Sequence, residues 1–349
     1  MKRKCLAVGI ILLFIGTAVI PSIPSEQIHN RKIITVDDEP GDGDYTSIIE
    51  ALNHSSPGDT IEVFSGTYNE HGISVTVEGI SIIGISHELG NGNDTGKPFI
   101  NGEGKYTVFI VDVRNVTISG FHIENKGNGD MYIVDIEPSC NNCIVSNNTL
   151  YYSGNCIIVC GSSYCRITNN TIRWAGGYCG IGLESYGHSN FICDNIISNC
   201  RRGIDGGWGG QNYSKVIGNL ISNCGEFGIY IWGLRNELRD NIVLHCGIGI
   251  ISSWGKVIHN ELTNNNYGIE VYPFSIVTKN NIYNNTVNAW FGGLFHYWSK
   301  NYWGQPKYLP YKIQGVLFSI GFPELPYLNF PWINFDWHPA QQPYNISGM

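Results

Sequence analysis

Charge is scarce in this sequence: Asp, Glu, Lys and Arg make up only 14% of its 349 residues. Long amphipathic helices need far more Glu, Lys, Ala and Leu than this, so a helical array is disfavoured. Basic residues are scarcer than acidic ones, 21 against 29, for a formal net charge of −8. Phosphate backbones and anionic bilayers are recognised by positive fields, which argues against nucleic acid or a lipid surface as partner. What is plentiful is Gly, 43 residues of it, and Asn that recurs in pairs.

The N-terminus has the layout of an export signal. Lys2, Arg3 and Lys4 precede an apolar run from Leu6 to Ile20, followed by Pro21-Ser22. No clean small-x-small cleavage site follows, so residues 1–25 read as a signal peptide or a short N-terminal anchor. The run is shorter than the roughly 20 residues a spanning helix needs. Without this segment 18 basic residues face 29 acidic ones, a formal −11. The expected location is extracellular or at the cell surface.

A repeat organises the rest. An Asn followed two residues later by an aliphatic recurs at Asn148, Asn170, Asn195, Asn219, Asn241, Asn260 and Asn280, with spacings of 22, 25, 24, 22, 19 and 20. Three residues before each stand Val145, Ile167, Ile192, Val216, Leu238, Val257 and Val277; five after stand Ser153, Ala175, Cys200, Cys224, Cys246, Asn265 and Asn285. A Gly-Ile step follows at Gly180, Gly203, Gly228, Gly249 and Gly268. Short β-branched runs between Asn and Gly turns, at a period near 22, mean a solenoid whose units bury their apolar sides only by stacking. The expected fold is all-β: a single-stranded right-handed parallel β-helix of about ten coils spanning residues 26–295. The Asn column is expected to occupy tight corners needing φ > 0 and to hydrogen-bond along the stack.

Both ends of such a stack need covering. Ser47 with Glu50 forms a capping box ahead of Ile48, Ile49, Ala51 and Leu52, which predicts a short helix near 47–53 over the first coil. Residues 296–349 carry Trp298, Trp303, Trp332 and Trp337 among many Pro and Tyr, which suits an irregular cap on the last coil.

The segments Gly43-Asp44-Tyr45-Thr46-Ser47-Ile48-Ile49-Glu50-Ala51-Leu52, Pro57-Gly58-Asp59-Thr60-Ile61 and Ser65-Gly66-Thr67-Tyr68-Asn69-Glu70 resemble the opening of pectate-lyase-like β-helix proteins. The Asn-Asn-Thr-Ile and Gly-Ile repeats and Lys300-Asn301-Tyr302-Trp303-Gly304 are similar to the NosD-like group and its carbohydrate-binding and sugar hydrolase repeat. The resemblance spans about 33–304 and implies a fold more firmly than an activity. The family's catalytic motifs do not carry over: Gly187-His188-Ser189 stands alone, and Asp336-Trp337-His338-Pro339 has the wrong order for an epimerase. Asp194 and Asp240 share a column, but Gly218 separates them.

Candidate chemistry lies elsewhere. Tyr186, Trp208, Trp232, Trp254 and Tyr272 follow successive Gly-Ile steps and read either as a column of sugar-stacking rings or as rings that stiffen the solenoid. Asp205 follows inward Ile204, so alternation points it outward beside Trp208. It is the candidate acid or base, with Glu184 or Glu270 as partner and Arg202 to neutralise a uronate. Ten cysteines lie between Cys140 and Cys246. They read as a ladder of buried thiols, as disulfides such as Cys143–Cys165, or as thiolates around Cys140-Asn141-Asn142-Cys143 for a soft metal. No residue set is assigned to a metal and no cofactor is implied. Eight Asn-x-Ser/Thr sequons, several in the turn column, fit a glycosylated surface protein.

The sequence therefore points to a monomeric, secreted or surface-attached protein that binds polysaccharide or a cell-surface glycan. A lyase or glycoside hydrolase activity on that glycan has no recognised active-site motif behind it. A non-catalytic structural or adhesive protein and a NosD-like copper-handling protein are the rivals.

Overall fold

The computed structural model describes residues 31–127, 131–207, 209–322 and 325–346. The export signal or anchor expected at 1–25, and Trp208, lie outside them. Each turn of chain lays down three short strands, as in Lys215–Ile217, Leu220–Ser222 and Phe227–Ile231, and then begins again one level up at Glu237–Arg239. Stacking produces three sheets. Sheet 1 runs from Ile33–Val36 to Tyr297–Ser299, sheet 2 from Thr67–Tyr68 to Asn281–Tyr283, and sheet 3 from Ile73–Val75 through Val287–Gly292 into a terminal hairpin. Sheet 1 has twelve strands and sheet 2 has ten, and sheet 3 has twelve including the two of the hairpin, so the solenoid has about twelve turns, slightly more than the ten expected. The early turns hid their period because loops intervene: in-register Ile34, Ile61, Ile82, Ile118 and Val145 are 27, 21, 36 and 27 residues apart.

The aliphatic columns are the core. Val145, Ile167, Ile192, Val216, Leu238, Val257 and Val277 pair in register along sheet 1, all buried, and Trp298 closes the row. Ile157, Ile181, Ile204, Ile229, Ile250 and Ile269 do the same in sheet 3. The Gly of each Gly-Ile step also faces inward. A Cβ at Gly180 would lie 2.8 Å from Ile197 Cγ2, and one at Gly228 would lie 2.2 Å from Val243 Cγ1. Glycine is there because sheets 2 and 3 come too close for a side chain.

The Asn column is a continuous amide ladder. Asn148, Asn170, Asn195, Asn219, Asn241, Asn260, Asn280 and Asn301 are all buried. In each, Nδ2 and the backbone N donate to Oδ1 of the next, at 2.8–3.2 Å throughout. The ladder ends on Asp336, a buried pure acceptor that takes Asn301 N and Nδ2, Trp303 Nε1 and Lys300 N. The corner itself belongs to the preceding residue, which corrects the expectation. Asn147, Asn169, Asp194, Asp240, His259, Lys279 and Lys300 have φ of 56–60°, and Gly218 68°, whereas the ladder residues do not adopt positive φ. Ladder geometry and left-handed turning need different backbones, so the chain divides them between neighbours. Asn147 and Asn169, both sequon acceptors, are consequently exposed.

The N-terminal helix spans Ile48–Asn53 and buries Ile48, Ala51 and Leu52 over the first coil. Ser47 accepts from Glu50 N at 3.3 Å, but the second carboxylate of the cap is Glu70, which accepts from Ile48 N and Ile49 N at 2.9 and 3.1 Å. At the other end the expected irregular cap contains an antiparallel hairpin, Tyr311–Phe322 with Leu325–Asp336, whose pairing shifts register between Val316 and Ser319 and between Ile320 and Phe322 and whose first strand extends sheet 3 beside Trp290. Pro326 and Pro331 obscured it in the sequence; an edge strand tolerates them because it need not donate on both sides. Trp298 and Trp303 are buried, with Trp303 stacked on Tyr311 at 3.9 Å, while Trp332 and Trp337 are exposed.

All ten cysteines from Cys140 to Cys246 are free, and all but Cys160 and Cys193 are buried. Cys200, Cys224 and Cys246 form the expected column, each thiol within reach of the carbonyl two residues back, at 3.4–3.7 Å. Burial pushes Cys140 up to about 11 and Cys160 up to about 12. Because eight of the ten are buried, native protein should react slowly with a thiol reagent at neutral pH, and denatured protein should release all ten from this region without reductant. Denaturation that exposed eight or fewer of them would require a disulfide.

Candidate glycan-binding trough

Sheet 3 presents two outward columns, set by register. One contains Asp135, Ile158, Gly182, Asp205, Tyr230, Ile251, Glu270 and Trp290. The other, two residues on, pairs Cys160 with Glu184, and one residue past the ends of the next strands stand Gly207, Trp232, the buried Ser253 and Tyr272. Around Asp205 they form a trough. A cavity of about 320 Å³ is lined by Tyr178, Cys179, Gly182, Leu183, Glu184, Ser185, Arg202 and Asp205. A second, of about 280 Å³, lies across Arg202 and is lined by Gly207, Phe227 and Tyr230. Gly182 and Gly207 leave the floor open; a Cβ on Gly207 would sit 2.1 Å from the Tyr230 ring.

Arg202 is the hub. Its guanidinium donates to Asp205 Oδ2 at 2.8 Å and to Glu226 Oε2 at 2.5 Å, and lies 5.1 Å from the ring centres of both Tyr178 and Phe227. Arg201 shares Glu226 at 2.6 Å and also covers Tyr178. Arg202, then burial opposed by Arg201, leaves Glu226 below the usual carboxylate range. Asp205 is nearly buried and also accepts from Gly207 N at 3.1 Å. Glu184 is exposed, and burial of its carboxyl together with the Asp205 charge pushes its pKa up.

Of the residues expected to act, Asp205, Glu184 and Arg202 are brought together. Glu270 is not: it is three coils from Asp205, roughly 14 Å along the stack, and accepts from Tyr272 OH at 2.5 Å. Arg202 already carries two carboxylates, so it is not the free cation expected for a uronate. The aromatic residues do not make one column. Trp232 and Tyr272 share a register and touch at 5.1 Å, with Ser253 between them in the stack. Trp254 belongs to a corner column of left-handed residues with Phe274 and Phe295, stacked at 4.3 and 5.0 Å. Tyr186 is 83% exposed on the loop past Glu184. Near these corners, Tyr272, Phe274, Trp290, Leu294, Phe295 and Val316 line an apolar hollow of about 540 Å³.

Sequence reasoning missed Tyr178, Glu226 and Phe227 as parts of the trough. The available signal was register, since Cys179, Arg202 and Phe227 pair directly. It also missed Asp135, whose pKa burial pushes up to about 7, aided by the Glu137 and Glu184 charges. A carboxyl whose folded pKa exceeds its unfolded value near 3.9 binds its proton more tightly in the native state. Its penalty to stability is absent below about pH 4 and grows as pH rises through about 7. Asp135→Asn should thus stabilise the protein by about 1–2 kcal/mol at pH 8, after discounting for partial exposure, and leave it unchanged near pH 4. Chemical denaturation at the two pH values measures this; equal effects at both would remove Asp135 as the cause.

The family model described as right handed beta helix region matches residues 155–303. That segment is a right-handed β-helix. Among solved structures, PfbA, a surface adhesin of Streptococcus pneumoniae, aligns over 77% of this chain and 85% of its own, with a TM-score of 0.53 and 13% identity. A DFA-IIIase from Arthrobacter chlorophenolicus A6 in complex with GF2 aligns over 81% and 84%, with a TM-score of 0.49 and 13% identity. Tailspike protein gp49 from Acinetobacter baumannii bacteriophage Fri1, a capsular polysaccharide depolymerase, aligns over 80% and 62%, with 0.47 and 9%. At these identities the likeness is one of fold. No curated protein matches the chain in sequence.

Proposed function

We propose that the chain is a secreted or surface-attached protein that binds polysaccharide in the sheet 3 trough. The observation that carries this reading is the juxtaposition of Tyr178, Phe227 and Tyr230 with Arg202, Asp205 and Glu184 on an open outer face. Sugar rings present apolar C–H faces and hydroxyl edges, and the trough offers aromatic surface beside charged acceptors and donors. Coils rise about 4.8 Å each, close to the length of one sugar in an extended chain, so several subsites can follow one another without strain. The fold shared with a surface adhesin is compatible with that role. Among the described residues no helix is long and apolar enough to cross a membrane.

Binding is favoured over cleavage because Asp205 is held by Arg202 and Gly207 N and has little freedom to act as acid or base. If the trough does cleave, Glu184 is the proton donor, since its raised pKa keeps more of it protonated. Copper handling through thiols is the weaker reading. Among the described residues, the groups of three or more ligand side chains that come together contain carboxylates and no thiol. A polysaccharide array probed with purified protein, followed by an assay for new reducing or unsaturated ends on the hits, tests the reading. Retention of one glycan class without product is expected. An array with no hits would remove the binding proposal.

A further inference from the structure

At the N-terminal end, five carboxylates converge away from the trough. Asp37, Asp38 and Glu39 follow the strand Ile33–Val36, and Glu88 and Asp94 come from the loop joining Ser81–Gly84 to Phe99–Asn101. One oxygen each from Asp37, Glu39 and Glu88 lie within 4.8 Å of one another, and so do those of Asp38, Glu39 and Asp94. No described Lys, Arg or His forms an ion pair with any of the five.

Backbone donors aim these groups. Asp37 Oδ1 accepts from Glu39 N at 3.1 Å, Asp38 Oδ2 from Thr67 N at 2.9 Å, and Glu88 from Leu89 N and Asp94 N at 3.1 and 2.9 Å. The remaining oxygens are the anomaly. Asp37 is completely buried and its Oδ2 has no hydrogen-bond partner; Asp38 Oδ1 and Glu39 Oε2 are also shielded from solvent and unpartnered. Gly66 leaves the room that Asp38 fills, since a Cβ there would lie 2.0 Å from Oδ1. Anionic oxygens shielded from water and left without donors are strongly disfavoured unless a cation or protons neutralise them.

We propose that Asp37, Glu39 and Glu88, with Asp38 and Asp94, form a calcium site that fastens the first coil to the 85–96 loop. The donors are all carboxylate oxygens, with no thiol or imidazole, which selects a hard cation. Oxygens on opposite sides of a calcium ion are about 5 Å apart, each roughly 2.3–2.6 Å from it, and the cluster fits within that span. Magnesium demands a tighter octahedron and keeps most of its water, so it fits this set of carboxylates less well. The site sits where the stack begins, so the ion would secure the end from which a solenoid frays.

The test uses the intact chain, stripped with EDTA and dialysed, then titrated with CaCl₂ by calorimetry and followed by thermal unfolding. Saturable binding at least tenfold tighter than for MgCl₂, and a Tm rise of at least about 5 °C, are expected. Asp37→Asn and Glu39→Gln should each weaken calcium binding tenfold or more and abolish the Tm rise. Glu50→Gln removes a neighbouring exposed charge outside the cluster and should change neither. No heat and no Tm shift in the parent protein would overturn the site whether or not the variants fold. A full response retained in both cluster variants would also overturn it, by locating calcium elsewhere.

Discussion

Asn241→Ala should lower the unfolding free energy by about 3–5 kcal/mol, a large fraction of what holds a domain folded. The side chain links three coils. Its Oδ1 accepts from Asn219 N and Nδ2, and its Nδ2 donates to Val216 O and Asn260 Oδ1, all within 3.0 Å. Truncation leaves Asn219 N buried without its acceptor, at about 1–3 kcal/mol, takes a donor from Val216 O and from Asn260 Oδ1, and opens a void besides. Asn241→Asp should be no better, because a carboxylate cannot donate to Asn260 Oδ1 or Val216 O. Aspartate is tolerated at position 336 because every neighbour there donates. Equilibrium denaturation checks the magnitude, and a loss under 1 kcal/mol would mean the coils stack without help from the ladder.

Replacing Tyr178 and Tyr230 together with Ala should weaken oligosaccharide binding tenfold or more, which corresponds to about 1.4 kcal/mol. Tyr178 covers Arg201 and Arg202 from one side, and Tyr230 stands against Phe227 at 5.3 Å and Trp232 at 6.4 Å on the other. Neither ring belongs to the inward aliphatic columns, so the fold should survive and the Tm should move little. The matching pair Trp254→Ala and Phe274→Ala removes stacked corner rings and should leave affinity within twofold. If the corner pair abolished binding and the trough pair did not, the site would lie along the corner instead.

The inward ladders were legible because burial imposes one strict period, so Val216, Leu238 and Val257 could be aligned by counting. The amide ladder was legible for the same reason. Its corner was placed one residue late, because Asn favours both left-handed turns and amide stacking and its letter does not say which. The aromatic column failed on counting from the core: Trp232 and Tyr272 follow the inward Ile by three residues, Trp254 by four and Tyr186 by five. A one-residue slip past the strand end moves a ring from the sheet to the corner. Asp205, Glu184 and Arg202 could be placed near one another from the sequence because they lie inside strands or one step from a core Ile. The N-terminal carboxylates were missed, because their meeting depends on loop paths that no period governs.

The most direct measurement is a crystal structure with an oligosaccharide taken from whichever glycan class the protein retains. The account predicts the sugar lying along the outer face of sheet 3, crossing Tyr178, Arg202 and Tyr230, with Glu184 and Asp205 at its hydroxyl edge. Sugar bound on sheet 1 or sheet 2, or in the apolar hollow beside Phe295 and Val316, would contradict it.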